Sequence, residues 1–273
     1  MKSSTIAYPR RKHAKSYFLS TAGGFILSCQ DSSSQTISLF NPLTGLEISV
    51  PNPQEFEEFS VVSNPFQKDL VVILESILDS DETFVGLIRP GDEAWVIRRL
   101  DMMLYEGLCL WSDSMCSINE YGTFTWTGDA TTRSILSTVP PPPRDSRPIS
   151  PRYMLETCGE ILLIFTHMKF IGKLEEIDFT IYQLNKVGGT YQWVKIRDIG
   201  DRMLFLGYVH SFALRASDFS GFRGNCIYFY KDDFKSLRFL LCQHDLETGT
   251  TEVLPNFSGK WSTWMIPNLS ESN

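Results

Sequence analysis

Short apolar runs recur along the whole chain, each divided from the next by turn residues. Runs of this length bounded by Gly, Pro, Asn, Asp or Ser read as β-strands. The pattern predicts strands at Phe25 to Cys29, Ile37 to Phe40, Glu47 to Val50, Leu70 to Leu74, Phe84 to Ile88 and Trp95 to Arg98. It continues with Leu108 to Trp111, Met115 to Ile118, Thr123 to Trp126, Ile161 to Thr166, Phe179 to Leu184 and Gln192 to Ile196. The last third adds Met203 to Leu206, Phe212 to Arg215, Cys226 to Tyr230, Phe239 to His244 and Thr250 to Val253.

One turn occurs twice. Asn41-Pro42-Leu43-Thr44-Gly45 is followed by Pro51-Asn52, and Asp245-Leu246-Glu247-Thr248-Gly249 by Pro255-Asn256, in register at an offset of 204 residues. A recurring turn between strands reads as one hairpin of a reused blade, because a single blade cannot bury both of its faces alone. The predicted fold class is therefore all-β: a β-propeller of short antiparallel four-stranded blades, about four to six of them, with an incomplete or irregular blade allowed. Several hairpins carry an aromatic residue on the return strand: Gly91 leads to Trp95, Gly122 to Phe124 and Trp126, and Gly188-Gly189 to Trp193. Such rings are expected to cover the face of the next blade. The proline-rich stretch from Pro140 to Pro151 cannot be a central strand and is expected to bridge two blades as a stiff surface loop, although such a run can also be read by aromatic grooves of partner proteins.

Composition supports the all-β reading. The chain has 273 residues, 42% of them hydrophobic and 13% aromatic, and only seven Ala, which suits pleated strands better than long helices. A chain of this size buries roughly 75% of the surface exposed on unfolding, so it needs no disulfide or metal staple. The net charge of -7 argues against a general affinity for nucleic acid or anionic membrane. Lys2, Arg10, Arg11, Lys12 and Lys15 all precede the first acidic residue, Asp31. This start reads as a solvated basic tail, with an organellar transit peptide or a short nuclear signal as alternatives. No apolar run is long enough to span a bilayer as a helix, and no secretory signal is seen. The triplets at Asn256 and Asn268 are therefore not expected to carry glycans.

No chemical motif stands out. Cys29, Cys109, Cys116, Cys158, Cys226 and Cys242 show neither CxxC spacing nor clustering, and read as buried free thiols in a reducing compartment. His13, His167, His210 and His244 are isolated, so no metal is expected. His210-Ser211 and His244-Asp245 are sequence neighbours that point to opposite strand faces, not a catalytic arrangement. Phosphate cradles are absent: Gly188-Gly189 lacks a following Lys-Ser/Thr, and Gly221 to Gly224 precedes a strand. The acidic clusters Glu55, Glu57, Glu58 and Asp79, Asp81, Glu82 read as solvated loops. Asp201-Arg202 is expected to be a turn-stabilising pair, and Asn225 to suit a turn entering the next strand.

Gly200-Asp201-Arg202-x-Leu204-Phe205-Leu206-Gly207, then Ser211-Phe212, Gly224 to Phe229 and Asp232-Asp233 resemble the plant F-box-associated propeller family of KIB type. Phe40 to Gly45 with Pro51, preceded by Ser20 to Leu27, match that family's opening blade. The Asn-Pro-Leu-Thr-Gly turn alone would also suit other F-box-associated propellers; the ordered set of motifs, from about Tyr17 to about Asn256, is the specific signal. The resemblance implies a substrate receptor: an N-terminal F-box docks on a Skp1-type adaptor of a cullin ubiquitin ligase while the propeller holds the target. About sixteen residues precede the first propeller motif, too few for a three-helix F-box.

The expected organisation is a basic tail over 1–16, the propeller over 17–258 and a C-terminal tail over 259–273. The expected function is non-catalytic protein binding, related to target recognition by F-box ligase receptors, in cytoplasm or nucleus. Alternatives are an organelle-directed propeller in mitochondrion or chloroplast, or an enzyme with a central-channel site. No cofactor, metal ligand, catalytic residue or individual partner contact is expected.

Overall fold

The computed structural model describes residues 17–20, 26–29, 36–40, 45, 47–51, 72–77, 83–88, 92–100, 105–111, 114–119, 124–129, 135–142, 152–171, 174–207, 211–233 and 238–259. Within them, twenty strands group into five sheets. The first sheet is a meander of β1 (Tyr17–Ser20), β2 (Ile26–Cys29), β3 (Thr36–Phe40) and β4 (Glu47–Pro51). The second comprises β5 (Val72–Ile77), β6 (Thr83–Ile88) and β7 (Val96–Leu100). The third is a meander of β8 (Tyr105–Trp111), β9 (Ser114–Asn119), β10 (Phe124–Asp129) and β11 (Ile135–Val139). The fourth is a meander of β12 (Arg152–Thr157), β13 (Glu160–Ile171), β14 (Leu174–Val187) and β15 (Thr190–Ile196).

The fifth sheet departs from this plan. It contains β16 (Arg202–Leu206), β17 (Phe212–Arg215), β18 (Cys226–Asp233), β19 (Arg238–Asp245) and β20 (Thr250–Gly259), in the order β17-β16-β18-β19-β20. β16 and β17 are antiparallel, but β16 and β18 run parallel, with Met203 opposite Cys226 and Leu206 opposite Phe229. The chain therefore crosses from one side of β16 to the other between Arg215 and Cys226. That crossover and the extra edge strand replace the four-stranded meander expected from the sequence.

Period-two alternation explains how the sheets stack. Ile161 and Leu163 of β13 join Met154, Tyr182, Leu184 and Trp193 in a core shared with Cys109, Cys116, Ile118 and Val139 of the third sheet. Their neighbours Leu162 and Ile164 point the other way, into a core with Leu204, Leu206, Ile227, Phe229 and Cys242 of the fifth sheet. The fourth sheet is thus covered on both faces. This is why Ile161 to Ile164 is an unbroken apolar run instead of an alternating one. The first strands β8 and β12 are neighbours, and β12 also neighbours β17. Successive sheets thus meet face to face with their edge strands adjacent, the arrangement of propeller blades.

The expected aromatic covering of neighbouring blades holds where it can be seen. Trp193 packs on the third sheet, and the indole N–H of Trp95, just before β7, donates to the Pro51 carbonyl at the end of β4 (2.6 Å). The side chains of Phe124 and Trp126 lie outside the described residues. The proline stretch joins the last strand of the third sheet to the first strand of the fourth, as expected of a bridge between blades. Pro140 and Pro141 are exposed and Pro142 is buried, while 143–151 lie outside the described residues. The sequence pattern missed β1, β11 and β12, ended β13 too early and began β14 too late. Paired rungs continue to Ile171 opposite Leu174, so these two strands run as a ribbon past their neighbours β12 and β15. The proposed tails, 1–16 and 260–273, lie outside the described residues.

Candidate functional site

The turns of the fourth and fifth sheets gather at one end of both sheets. Thr157 pairs with Glu160 and Val187 with Thr190, which places the turns at Cys158-Gly159 and Gly188-Gly189 there. Glu160 reaches Arg202 at the start of β16 (2.6 Å), and Cys226 stands opposite Asp245 at the end of β19. The crossover and the Leu246 to Gly249 turn therefore share this rim. Cys158 and Gly159 both have positive φ (53° and 79°), the conformation of a two-residue hairpin turn that matches strand twist.

The crossover is clasped by the residues that the sequence singled out. A Cβ on Gly224 would sit 2.7 Å from the Cα of Asp201 and 2.7 Å from the Gly200 carbonyl oxygen, so two backbones touch here and only Gly fits. Asn225 adopts φ 57° and accepts from the Ile199 N–H through Oδ1 (3.1 Å). Its own N–H donates to the Arg202 carbonyl (2.9 Å). The Asp201 carboxylate accepts from the N–H (3.2 Å) and hydroxyl (2.5 Å) of Ser217, and the Asp201 carbonyl from the Ala216 N–H (2.8 Å). Asp201 and Arg202 thus go to different partners instead of forming the turn-stabilising pair expected: Arg202 donates to Glu160 and, through Nε, to the Ile199 carbonyl (2.7 Å). Asn225 serves the entry turn as expected.

From this clasp the loop presents Phe219, 41% exposed, whose ring meets Phe222 edge-on (centroids 6.2 Å apart); Phe222 in turn faces Tyr228. Val187, 51% exposed, stands at the β14–β15 turn of the same rim. Around them are the exposed Lys186, Asp198, Arg215, Asp218 and Arg223. Charges of both signs and two separate apolar side chains suit contact with a mixed protein surface better than with a polyanion.

The second copy of the repeated turn completes the rim. Asp245 Oδ1 accepts from the N–H groups of Glu247 (2.8 Å) and Thr248 (3.2 Å), and Gly249 has φ 69°. Burial opposes ionisation of Asp245, but these backbone donors and Arg223 (2.9 Å) outweigh it and hold its carboxyl below the ordinary value. Arg223 also reaches Glu247 (2.7 Å).

The titratable groups inside the sheets serve packing. His244 is buried beneath Phe179, with its Nδ1 2.9 Å from the Thr251 hydroxyl, and burial pulls its pKa below the ordinary value. His167 Nε2 lies 3.0 Å from the Thr180 hydroxyl. Burial pushes the Cys226 thiol up and the Tyr228 hydroxyl up to about 12. Among the described residues no three His, Cys, Asp or Glu side chains gather as metal ligands. Cys158 is exposed, a correction to the expectation of buried thiols, whereas Cys109, Cys116, Cys226 and Cys242 are buried. His13, His210, both acidic clusters, Asn268 and the side chain of Asn256 lie outside the described residues. Spacing alone missed three features: Glu160 as the partner of Arg202, the outward Phe219, and the direct opposition of Cys109 and Cys116.

The chain matches the family described as KIB1-4 beta-propeller over residues 1–253, and it belongs to that family. No curated protein matches it. Among solved structures it is similar to a chain of an S. cerevisiae assembly of Dbp5 with Nup159, Gle1, IP6 and ADP (10% identity, TM-score 0.41, covering 82% of this chain and 56% of that one). An ACO/RPE65 chimera is similar at 8% identity and TM-score 0.36, over 86% of this chain and 59% of the other. Apo AztD from Citrobacter koseri is similar at 9% identity and TM-score 0.32, over 86% and 70%. This chain spans less than two thirds of the length of the first two. No helix among the described residues is long and apolar enough to cross a membrane.

Proposed function

We propose that this member of the KIB1-4 beta-propeller family is a non-catalytic protein-binding module, related to the target-recognition subunits of F-box ubiquitin ligases. Membership of the family over residues 1–253 carries the reading. The rim of the fourth and fifth sheets supports it. Its turns are tied down by backbone hydrogen bonds and strand pairing, so the backbone that carries the exposed Phe219 and Val187 needs little further ordering on binding. The working compartment is cytoplasm or nucleus, where an adaptor of the Skp1 type is met.

Affinity purification of the tagged full chain, with mass spectrometry of the retained proteins, tests this. A reproducible partner that is lost on Phe219→Ser and Val187→Asp supports rim binding. Co-purified Skp1 and cullin extend it to ligase recruitment. A chain that retains no specific protein, or whose partner is indifferent to both substitutions, overturns the rim assignment.

A further inference from the structure

Cys109 on β8 and Cys116 on β9 stand directly opposite each other across one antiparallel rung. Opposed Cα atoms in such a ladder are roughly 4.5 to 5.5 Å apart, inside the window of about 4.4 to 6.8 Å that a disulfide requires. The Cys116 side chain is near enough to raise the Cys109 pKa. Both cysteines lie against Ile118, Val139, Met154 and Ile161, where the third sheet meets the fourth. No other described cysteines share a rung: Cys226 is opposite Asp245, Cys242 is opposite Phe229, and Cys158 occupies an exposed turn.

We propose that Cys109 and Cys116 are a reversible dithiol–disulfide site, oxidised by peroxide, that locks β8 to β9 beside the fourth sheet. Cys109, 6% exposed against 0% for Cys116, meets the oxidant first. Its thiol loses a proton to water, the sulfur attacks one peroxide oxygen, and the O–O bond breaks to leave a sulfenic acid and hydroxide, which takes up the proton as water. The Cys116 sulfur then attacks the sulfenic sulfur. The S–O bond breaks, and hydroxide leaves with the Cys116 proton as a second water. Two thiols and one hydrogen peroxide thus become one disulfide and two waters, and added dithiol reverses the change. Interaction of the Cys109 S–H, as donor, with the Cys116 sulfur and burial both raise the Cys109 pKa. Little thiolate is present at neutral pH, so the site responds slowly and faster as pH rises.

The test uses the purified full chain, natively folded, with exposed Cys158 first blocked by alkylation. After hydrogen peroxide, the protein is unfolded, remaining thiols are alkylated and the chain is cut before Asp113, which lies between the two cysteines. The expected product is a pair of peptides joined through Cys109 and Cys116, lighter by two hydrogens, separated by dithiothreitol and formed faster at pH 9 than at pH 7. The joined pair is absent in Cys109→Ser and in Cys116→Ser. The wild-type map stands by itself should either variant misfold. Alkylation of both cysteines after peroxide, their linkage to other cysteines, or irreversible oxidation in place of linkage would each overturn the proposal.

Discussion

The two copies of the repeated turn have the same local structure and different surroundings. Phe40 opposite Glu47, Leu39 opposite Ile48 and Ser38 opposite Ser49 become, on adding 204, His244 opposite Thr251, Gln243 opposite Glu252 and Cys242 opposite Val253. Both copies place Gly at positive φ, 75° at Gly45 and 69° at Gly249. Burial does not follow the repeat. Phe40 is 38% exposed, whereas His244 at the equivalent position is 1% exposed because the β14 extension lays Phe179 over it. The ribbon is held there by the Thr251 hydroxyl, which donates to the Ile177 carbonyl (3.4 Å). The hairpin is thus a local solution reused at both ends of the chain, while the covering of its strands depends on the neighbouring sheet.

The largest test of that contrast removes the cover. Phe179→Ala deletes a ring packed on both Phe229 and His244 and should cost about 4 kcal/mol in urea unfolding. Phe40→Ala should stay within about 0.5 kcal/mol. Similar losses at the two sites would show that the covering by the neighbouring sheet makes no difference. Next in size is Gly224→Ala, expected to cost about 3 kcal/mol by forcing the Gly200-Asp201 backbone away from the crossover. Because the Asn225 carbonyl accepts from the Leu246 N–H (3.1 Å), hydrogen exchange should quicken at Leu246 in this variant and stay unchanged in β3 and β4.

Gly45→Ala and Gly249→Ala should each cost about 1 to 2 kcal/mol, nearly equally, since both create the same strained backbone in open space. A clear inequality would show that the turn itself is not a local unit. The smallest expected effect is one of pH. The folded pKa of His244 is depressed by burial, with Asp178 and Asp245 offsetting only part of it. The unfolded chain therefore takes up the proton more readily, and stability is full above the unfolded value near 6.5 and declines as pH falls below it. His244→Asn should flatten this slope in chemical denaturation between pH 7 and pH 5. Any contribution from the depressed Asp245 appears only at more acidic pH, as its folded carboxyl takes up a proton.

Much of the fold was legible because it is local. Alternation and turn residues located most strands to within a few positions, and the shared register of the two turn copies follows directly from their alignment. β11 and β12 escaped because they flank the proline stretch, and β12 in particular mixes Arg152, Glu156 and Thr157 with its apolar residues. The long ribbon escaped because His167, Lys169, Glu175, Glu176 and Asp178 interrupt its apolar pattern. At the candidate site, the Gly200 to Arg202 and Gly224-Asn225 motifs were visible, but their contact was not. Joining them requires the crossover beneath β16, a connection between non-adjacent strands that no local propensity specifies.

Short strands, the positions of the tight turns and the repeated hairpin follow from local sequence, since each depends on a few neighbouring residues. Which sheet covers which face is set by long-range packing. Ile161 to Ile164 is apolar throughout, and nothing in that run says that its alternate residues enter different cores. The same holds for Cys109 and Cys116, six intervening residues apart in sequence and opposed on one rung. Strand register brought them together, because pairing across a sheet is set by the turn and the packed faces, while the cysteines' own spacing carries no sign of it.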